Sequence, residues 1–506
     1  MHTDPFFSRK LNKKLCVLFR SRLVIKSNLH SKSRIFMVGI KGAGMSALAV
    51  LLKKNGLSVY GSDSPEYFIT QKKLLAHDIS WAESDDKQLI TGKYSSLIYS
   101  SAYSKNTHPQ IIEALTLGIP VFTYNEYIGK ISKETNTCCC VAGTHGKTTT
   151  SALIDLLLSE LGIAAYSLFG AQSIVRQESY DTENYETGLI EACEYRKHFL
   201  LLHPEIVLIT NIEFDHPDTY KSLDEVYKSF LEFALRLPSN GFLLYYANDP
   251  GAKKVAGEVK DIRKDVQILP FGGSSDDLFS VKHKSLCKGK SVFKLAGSSE
   301  VLTIKAPGDY NINNAVGAIA AAAAVLSNRT GSAVNDVMPQ VIEAAKKTFS
   351  QFSGCDRRSE RLGEAQNIIV MDDYAHHPTE IAAVLSGIRE FYPGRRVVAD
   401  FMPHTYSRTK ALFDDFCKAF SGAEIVLIHP IFSSAREQRE SGGITGKDLA
   451  EAIPHAVYVK NNEEACTTAH ALLQSGDLFI TMGAGNNRKT AEMLLARLDE
   501  AGVDGR

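Results

Sequence analysis

The chain has 506 residues, enough for about three domains at the usual size of a folding unit. Its 57 Lys and Arg balance 57 Asp and Glu, and a net charge of zero argues against a broad nucleic-acid or anionic-membrane surface. Nine cysteines form no CxxC pair and no apolar run reaches the roughly 18 residues of a membrane span, so free thiols in a reducing, cytoplasmic setting are expected.

Residues 1–33 stand apart in composition. Arg9, Lys10, Lys13, Lys14, Arg20, Arg22, Lys26 and Lys32 face a single acid, Asp4. The apolar run from Leu15 to Phe19 is too short for a secretory segment. The composition partly fits an organellar transit peptide and fits equally well a start placed too early. The expectation is a disordered basic tail without an assigned function.

Folded sequence begins at Arg34. The stretch IFMVGIKGAGMSALAVLLKKNGLSVYGSD reads as strand, Gly-rich turn, helix and strand. Gly39, Gly42 and Gly44 form the turn, and Asp63 closes the second strand. This satisfies the formal dinucleotide pattern, but a nucleoside diphosphate sugar would sit at such a helix N-terminus equally well. Further strands are expected at Leu97–Ser101 and Ile119–Phe122, with a helix over Asn106–Leu117 between them. This first α/β domain, residues 34–135, ends in the polar stretch SKETNT.

The central domain, residues 136–353, opens on CCCVAGTHGKTTT. Cys138–Ala142 reads as a buried strand, followed by a loop of Gly143, Thr144, His145, Gly146, Lys147, Thr148 and Thr149 at the start of a helix. The glycines let backbone N–H groups approach an anion, Lys147 supplies a cation for phosphate oxygens, and the Thr148 hydroxyl can bind Mg²⁺. The full phosphate-loop pattern has a glycine where this chain has Val141, so the loop is short. A strand–helix turn that binds nothing is the plain alternative. Strands follow at Gly188–Ala192 and Glu205–Thr210, with Asn211, Glu213, Asp215 and His216 at the carboxyl end of the second, where open sheets place ligands. An Ala-rich helix spans Ala315–Leu326, introduced by PGDYNINN, and Asn314 would cap it.

The third domain, residues 354–506, begins with the basic turn Asp356-Arg357-Arg358. Its strands are expected at Ile368–Met371, Val397–Phe401, Ile425–Ile428 and Leu478–Met482. The fold class is therefore α/β in three domains: a Rossmann-like first domain, a central phosphate-loop domain with a parallel sheet, and a Rossmann-like third domain.

Seven stretches now stand in order: GIKGAGMSALA, GTHGKTTT, TNIEFDHPDTY, GDYNINNAVGAIAA, DRRSERLGE, DDYAHHPTEI and PHTYSRT. Together they resemble the Mur ligase family over residues 34–506. The resemblance implies an ATP-dependent ligase that activates a carboxylate as an acyl phosphate and joins it to an amine. Among the family's reactions the motifs are most similar to those for adding L-alanine to UDP-N-acetylmuramate, in the supply of peptidoglycan precursors. A murein-recycling relative that attaches a tripeptide is the nearest alternative. No protein partner is implied.

The resemblance also implies residue roles. Lys147 would clamp phosphate, while Thr148, Glu194 and His216 would hold Mg²⁺. Asn311, Asn314, Arg358 and Asp373 would contact ATP. Gly39, Gly42, Gly44 and Asp63 would serve the UDP-sugar. Tyr374 and His376 would line the amino-acid pocket, and Arg408 would pair with the amino acid's carboxylate. His377 reads as structural, and Arg357 as a surface neighbour. The chain departs from common family patterns at Cys193, Arg196, Tyr310 and Thr405. Because no one domain holds a complete site, the resemblance leads to an open ligand-free form, a hinge near Phe352–Asp356 and ordered addition of ATP, sugar and alanine.

Overall fold

The computed structural model describes residues 33–503 except 69, 170–185, 274–275, 288 and 434–442. The expected basic tail lies outside the described residues apart from Ser33.

The first sheet is built from short, buried, β-branched and aromatic runs. Its five parallel strands lie in the order Trp81–Ala82, Ser58–Ser62, Arg34–Val38, Ser96–Tyr99, Val121–Thr123. The chain starts in the middle and winds to both edges, so the Gly-rich turn after Val38 opens at the carboxyl ends of the strands. The helix expected from Asn106 begins at Pro109, whose fixed φ suits a first helical turn.

The helix Tyr124–Glu134 then leaves this sheet. A capping box starts it: Glu126 N–H donates to the Thr123 hydroxyl, and Thr123 N–H donates to Glu126. Its Tyr127, Ile128 and Ile131 join a core that runs without a break from the first sheet into the central one.

Six parallel strands form the central sheet, ordered Gln267–Phe271, Phe242–Tyr246, Ile206–Ile209, Thr137–Ala142, Thr187–Ala192, Ala165–Leu168. Thr137–Ala142 is buried throughout because both neighbours and both faces are covered. The helix Lys147–Glu160 packs on the Ala-rich helix, which runs from Asp309 to Thr330. That helix starts at Asp309, six residues before the expected Ala315, with Gly308 at its cap position. Asn311 and Asn314 therefore lie inside it, and Asn314 is not its cap. Alanines 320 to 324 are wholly buried, which lets neighbouring backbones come close. A small antiparallel sheet, Val281–Cys287, Lys290–Leu295 and Leu302–Ile304, has no counterpart in the expected central domain.

The third sheet carries strands Glu360–Ala365, Ile368–Asp373, Leu478–Met482, Val397–Phe401, Ile425–Ile428 and Ala456–Tyr458, in that order. Five are parallel; Glu360–Ala365 is an antiparallel edge strand. The helix Pro378–Phe391 presents its N-terminus to the central phosphate loop, and this contact creates the site.

Candidate functional site

The phosphate loop is held by residues that follow the neighbouring strand. His145 N–H donates to Asn211 Oδ1 at 2.9 Å, and the His145 carbonyl accepts from Thr210 Oγ1 at 2.5 Å and Asn211 Nδ2 at 3.1 Å. Two glycines are required here. Gly143 has φ +141°, and a Cβ there would lie 1.9 Å from Thr210 Oγ1. Gly146 has φ +80°, and a Cβ there would lie 2.6 Å from Asn314 Oδ1. Asn314 also accepts a hydrogen bond from Thr150 Oγ1 at 3.2 Å, which brings the Ala-rich helix onto the loop. Asn311 donates to the Pro307 carbonyl at 2.7 Å.

At one end of the loop Lys147 and His216 approach Glu194, and Thr148 approaches Glu191. Lys147 Nζ donates to the Thr144 carbonyl at 3.0 Å and Glu194 Oε2 at 3.1 Å, and also to the Gly143 carbonyl. Burial pushes this ammonium down, but the acidic groups around it, Glu194 foremost and Glu191 with it, together hold the group above its ordinary value. Thr148 Oγ1 donates to both Glu191 oxygens at 3.1 Å. His216 Nε2 stands 3.9 Å from Glu194 Oε1, on a backbone with φ +54°. Glu191 was passed over in the sequence; the signal was an acid at the end of the apolar strand Thr187–Ala192. One hydroxyl, two carboxylates and an imidazole make a donor set rich in hard oxygen, which fits Mg²⁺. Of the two departures here, Cys193 is exposed, and the Arg196 guanidinium lies 5.3 Å from the Tyr195 ring.

Glu213 and Glu380 join the loop to the third unit. His145 Nε2 stands 3.6 Å from Glu213 Oε2, and His145 Nδ1 stands 3.2 Å from Glu380 Oε1. Burial lowers the His145 imidazole, and the two carboxylates reverse this, taking it up to about 9. Glu380, four residues after His376, was not singled out in the sequence, whereas Glu213 was, at the carboxyl end of its strand. His377 caps the helix Pro378–Phe391, accepting from Thr379 N–H at 3.4 Å.

Arg358 approaches Glu380 Oε1 at 3.5 Å, with its guanidinium 5.0 Å from the Tyr374 ring. Asp373 accepts from Ser359 N–H and Ala375 N–H, each at 2.7 Å. Burial nevertheless pushes its carboxyl up to about 6. Arg357 is not a surface neighbour. It bonds Asp372 at 3.0 Å and the Gly483 and Gly485 carbonyls at 2.8 and 3.0 Å, tying strand ends together. Tyr310 donates to or accepts from Ser359 Oγ at 2.9 Å and packs on the third unit's core, so this departure links two units.

His376 Nδ1 lies 2.9 Å from the Tyr374 carbonyl, and its ring is 6.0 Å from His404 edge-on. Burial, with Arg408 beside it, holds His376 well below the usual imidazole range. Arg408 grips Asp215 of the central unit, Nε to Oδ1 at 2.8 Å and Nη2 to Oδ2 at 3.1 Å. Burial would raise the Asp215 carboxyl; the Arg408 guanidinium overrides it and holds the group well below the carboxylate range. Thr405 has φ +67° and caps the helix Tyr406–Ala411. The structure is thus in a docked arrangement, with third-unit side chains seated on the central loop.

The Gly-rich turn belongs to the first unit. Asp63 Oδ2 accepts from Lys41 N–H at 2.7 Å and Oδ1 from Ser64 N–H at 2.8 Å, so in this structure Asp63 shapes the turn. Gly42 is the N-cap of the helix Ala43–Lys54, which Gly44 enters. Gly39 turns the chain out of the first strand, its N–H donating to the Ser62 carbonyl at 2.8 Å. Lys41, unremarked in the sequence, is wholly buried, with Nζ bonding the Ser64 and Glu66 carbonyls at 2.5 and 2.6 Å.

A phosphate loop, an oxygen-rich pocket beside its lysine and a site completed by a neighbouring α/β unit define a nucleotide-dependent enzyme of multi-unit build. Three family descriptions match in order: the Mur ligase family catalytic domain over residues 34–135, the Mur ligase middle domain over 141–322, and the Mur ligase glutamate ligase domain over 357–485. The chain belongs to the Mur ligase family. A UDP-N-acetylmuramate–L-alanine ligase of Treponema pallidum is 37% identical over 466 residues, covering 91% of this chain and 96% of its own. That of Borreliella burgdorferi is 33% identical over 471 residues, covering 92% and 98%. Among solved structures, the UDP-N-acetylmuramate–alanine ligase of Thermotoga maritima superposes with a TM-score of 0.72 at 22% identity, covering 92% of this chain and 99% of its own. A murein peptide ligase of Psychrobacter arcticus gives 0.65 at 22% identity with the same coverage. At that identity both speak for the fold.

Proposed function

We propose that the chain joins L-alanine to the carboxylate of UDP-N-acetylmuramate at the expense of ATP, in the cytoplasm. The observation that carries this reading is the meeting of the phosphate loop with Arg358, Glu380, His376 and Arg408 across the boundary between two units. The 33–37% identity to alanine-adding relatives supports the choice of amino acid.

In this reading the carboxylate attacks the γ-phosphorus, ADP leaves, and the amine then attacks the acyl carbon and expels phosphate. Two anions must approach, so positioning and charge neutralisation dominate the barrier. Lys147 holds phosphate oxygens, with the positive N-terminal end of the helix Lys147–Glu160 behind it. Mg²⁺ held by Thr148, Glu191, Glu194 and His216 supplies further neutralisation when bound. Asn311 and Asn314 face the base, Arg358 reaches the phosphates and Asp373 stands near the ribose. His376, neutral because it is buried, orients the incoming amine without charge repulsion. The alanine carboxylate competes with Asp215 for the Arg408 fork, so Asp215 holds the place of that carboxylate before the amino acid arrives. The turn at Gly39, Gly42 and Gly44 takes the UDP-sugar.

Phosphate release with ATP, Mg²⁺ and UDP-N-acetylmuramate, measured against a panel of amino acids and the L-alanyl tripeptide, tests this. L-alanine should give the highest kcat/KM, with Gly and Ser lower by a factor within about 10–200, the reach of one methyl group. Release with the tripeptide alone would overturn it. Calorimetry should show binding of UDP-N-acetylmuramate and none of NAD.

A further inference from the structure

Beside the phosphate loop, two histidines and a carboxylate converge from both sides of the boundary between units. His145 belongs to the loop, Glu213 follows the strand Ile206–Ile209, and His377 caps the helix Pro378–Phe391. His145 Nε2 stands 3.6 Å from Glu213 Oε2, and His377 Nδ1 stands 3.8 Å from the same oxygen. One donor atom from each residue lies within 4.8 Å of the others.

The far nitrogen of each ring is already engaged. His145 Nδ1 is 3.2 Å from Glu380 Oε1, and His377 Nε2 is 3.3 Å from the Phe214 carbonyl oxygen. A hydrogen on those nitrogens leaves the lone pairs on His145 Nε2 and His377 Nδ1, the two atoms beside Glu213. Metal-binding histidines are held in this way, by a carboxylate or a carbonyl on the opposite nitrogen. Thr379 Oγ1 donates to Glu213 Oε2 at 2.7 Å and orients the carboxylate as well. His145 Nε2 is buried and has no hydrogen-bond partner among the described residues. The Thr379 N–H reaches His377 Nδ1 at a long 3.4 Å, a contact that a stronger bond can replace.

We propose that His145, Glu213 and His377 form a binding site for a transition-metal cation of the Zn²⁺ or Co²⁺ class, separate from the oxygen-rich pocket at Thr148. Two imidazoles with one carboxylate suit such borderline cations, whereas Mg²⁺ favours all-oxygen coordination. Tetrahedral ligands at about 2.0–2.2 Å from a metal stand about 3.3–3.5 Å apart, so the 3.6 and 3.8 Å spacings to Glu213 need only a small inward movement. A cleft of about 600 Å³ lined by Glu213, His377 and Thr379 leaves an approach path and room for a water as fourth ligand. The positive N-terminal end of the helix Pro378–Phe391 disfavours a cation, and Glu213 and Glu380 offset it. Without the metal, a proton on His145 fills this role, and metal entry releases it. Because His377 comes from the third unit and the other ligands from the central one, the cation clamps the docked arrangement.

The test is titration of the full chain with Co²⁺ in excess Mg²⁺, read by visible absorption, with Zn²⁺ as competitor. The wild type should bind one equivalent with a spectrum free of thiolate charge-transfer bands, and X-ray absorption should show two imidazole nitrogens. Binding should weaken by at least about tenfold in Glu213→Gln and His377→Ala and stay unchanged in Glu194→Gln. If His377→Ala fails to fold, as judged by its melting, Glu213→Gln decides. No stoichiometric binding, a thiolate spectrum, or weakening in Glu194→Gln equal to that in Glu213→Gln would overturn the site. The titration needs no turnover, so its failure would leave the ligase reading standing.

Discussion

Lys147 shows how much depends on one cation. It is buried against Glu194, with the loop carbonyls of Gly143 and Thr144 completing its shell. A phosphate clamp of this kind works in a site with little water, where one preorganised donor is worth several kcal/mol. Lys147→Ala should therefore lower kcat at least about 10³-fold. Circular dichroism at a temperature well below melting should be unchanged, although Glu194 then lacks its partner and the melting temperature should fall. Retention of more than about a tenth of wild-type turnover would contradict a clamping role. The motif GTHGKT made this residue legible; Glu191, the partner of the neighbouring Thr148, was not, because only the fold places the end of the strand Thr187–Ala192 beside Thr148.

At the scale of elements, the central strand and the Ala-rich helix carry most of the argument. Cys138 N–H donates to Glu205 at 2.5 Å, just before the strand Ile206–Ile209. Burial raises this carboxyl to about 7 despite that hydrogen bond. The folded state thus keeps a proton that the unfolded chain releases near 4.5. Stability from this group is fully present below that lower value and is lost as pH rises through about 7. Glu205→Gln keeps an acceptor for Cys138 and removes the titration. Its stability relative to wild type should rise by on the order of 1–2 kcal/mol between about pH 5 and about pH 8, allowing for partial exposure. Chemical denaturation at both values checks this, and a pH-independent difference would refute it. In the Ala-rich helix, Ala321 is wholly buried, in the same packed core as the helices Lys147–Glu160 and Val334–Phe349. Ala321→Leu should cost about 1–3 kcal/mol by overpacking, measured as a lower denaturation midpoint.

For the whole molecule, the docking of the third unit is the decisive arrangement. Arg408–Asp215, Thr379–Glu213 and Tyr310–Ser359 all cross the boundary. The resemblance led to an open ligand-free form, and this structure is docked. A buried ion pair that loses one partner leaves an uncompensated charge, at a cost of about 3–5 kcal/mol. Asp215→Asn should therefore weaken the docked arrangement, and small-angle scattering should give a larger radius of gyration than wild type. ATP with UDP-N-acetylmuramate at saturation should reverse the difference. Identical scattering from both proteins, with and without ligands, would show that this pair does not govern docking.

The sequence by itself determined what local chemistry can specify. Strand, Gly-Lys-Thr turn and helix at Cys138–Thr150 follow from residue type and spacing, as do the Gly-rich turn at Gly39–Gly44 and four strands of the third sheet. The tertiary structure decided which charges meet. Arg408, expected to await a free carboxylate, holds Asp215 from a segment 193 residues away. His145 sits between Glu213 and Glu380, acids that share no sequence pattern with it. Asn314 proved interior to its helix because Gly308, six residues earlier, begins the turn. Local propensity acts over a few residues, whereas Coulomb attraction and burial act between any groups the chain brings together. The ion pairs that complete this site therefore exist only once the third unit rests on the second.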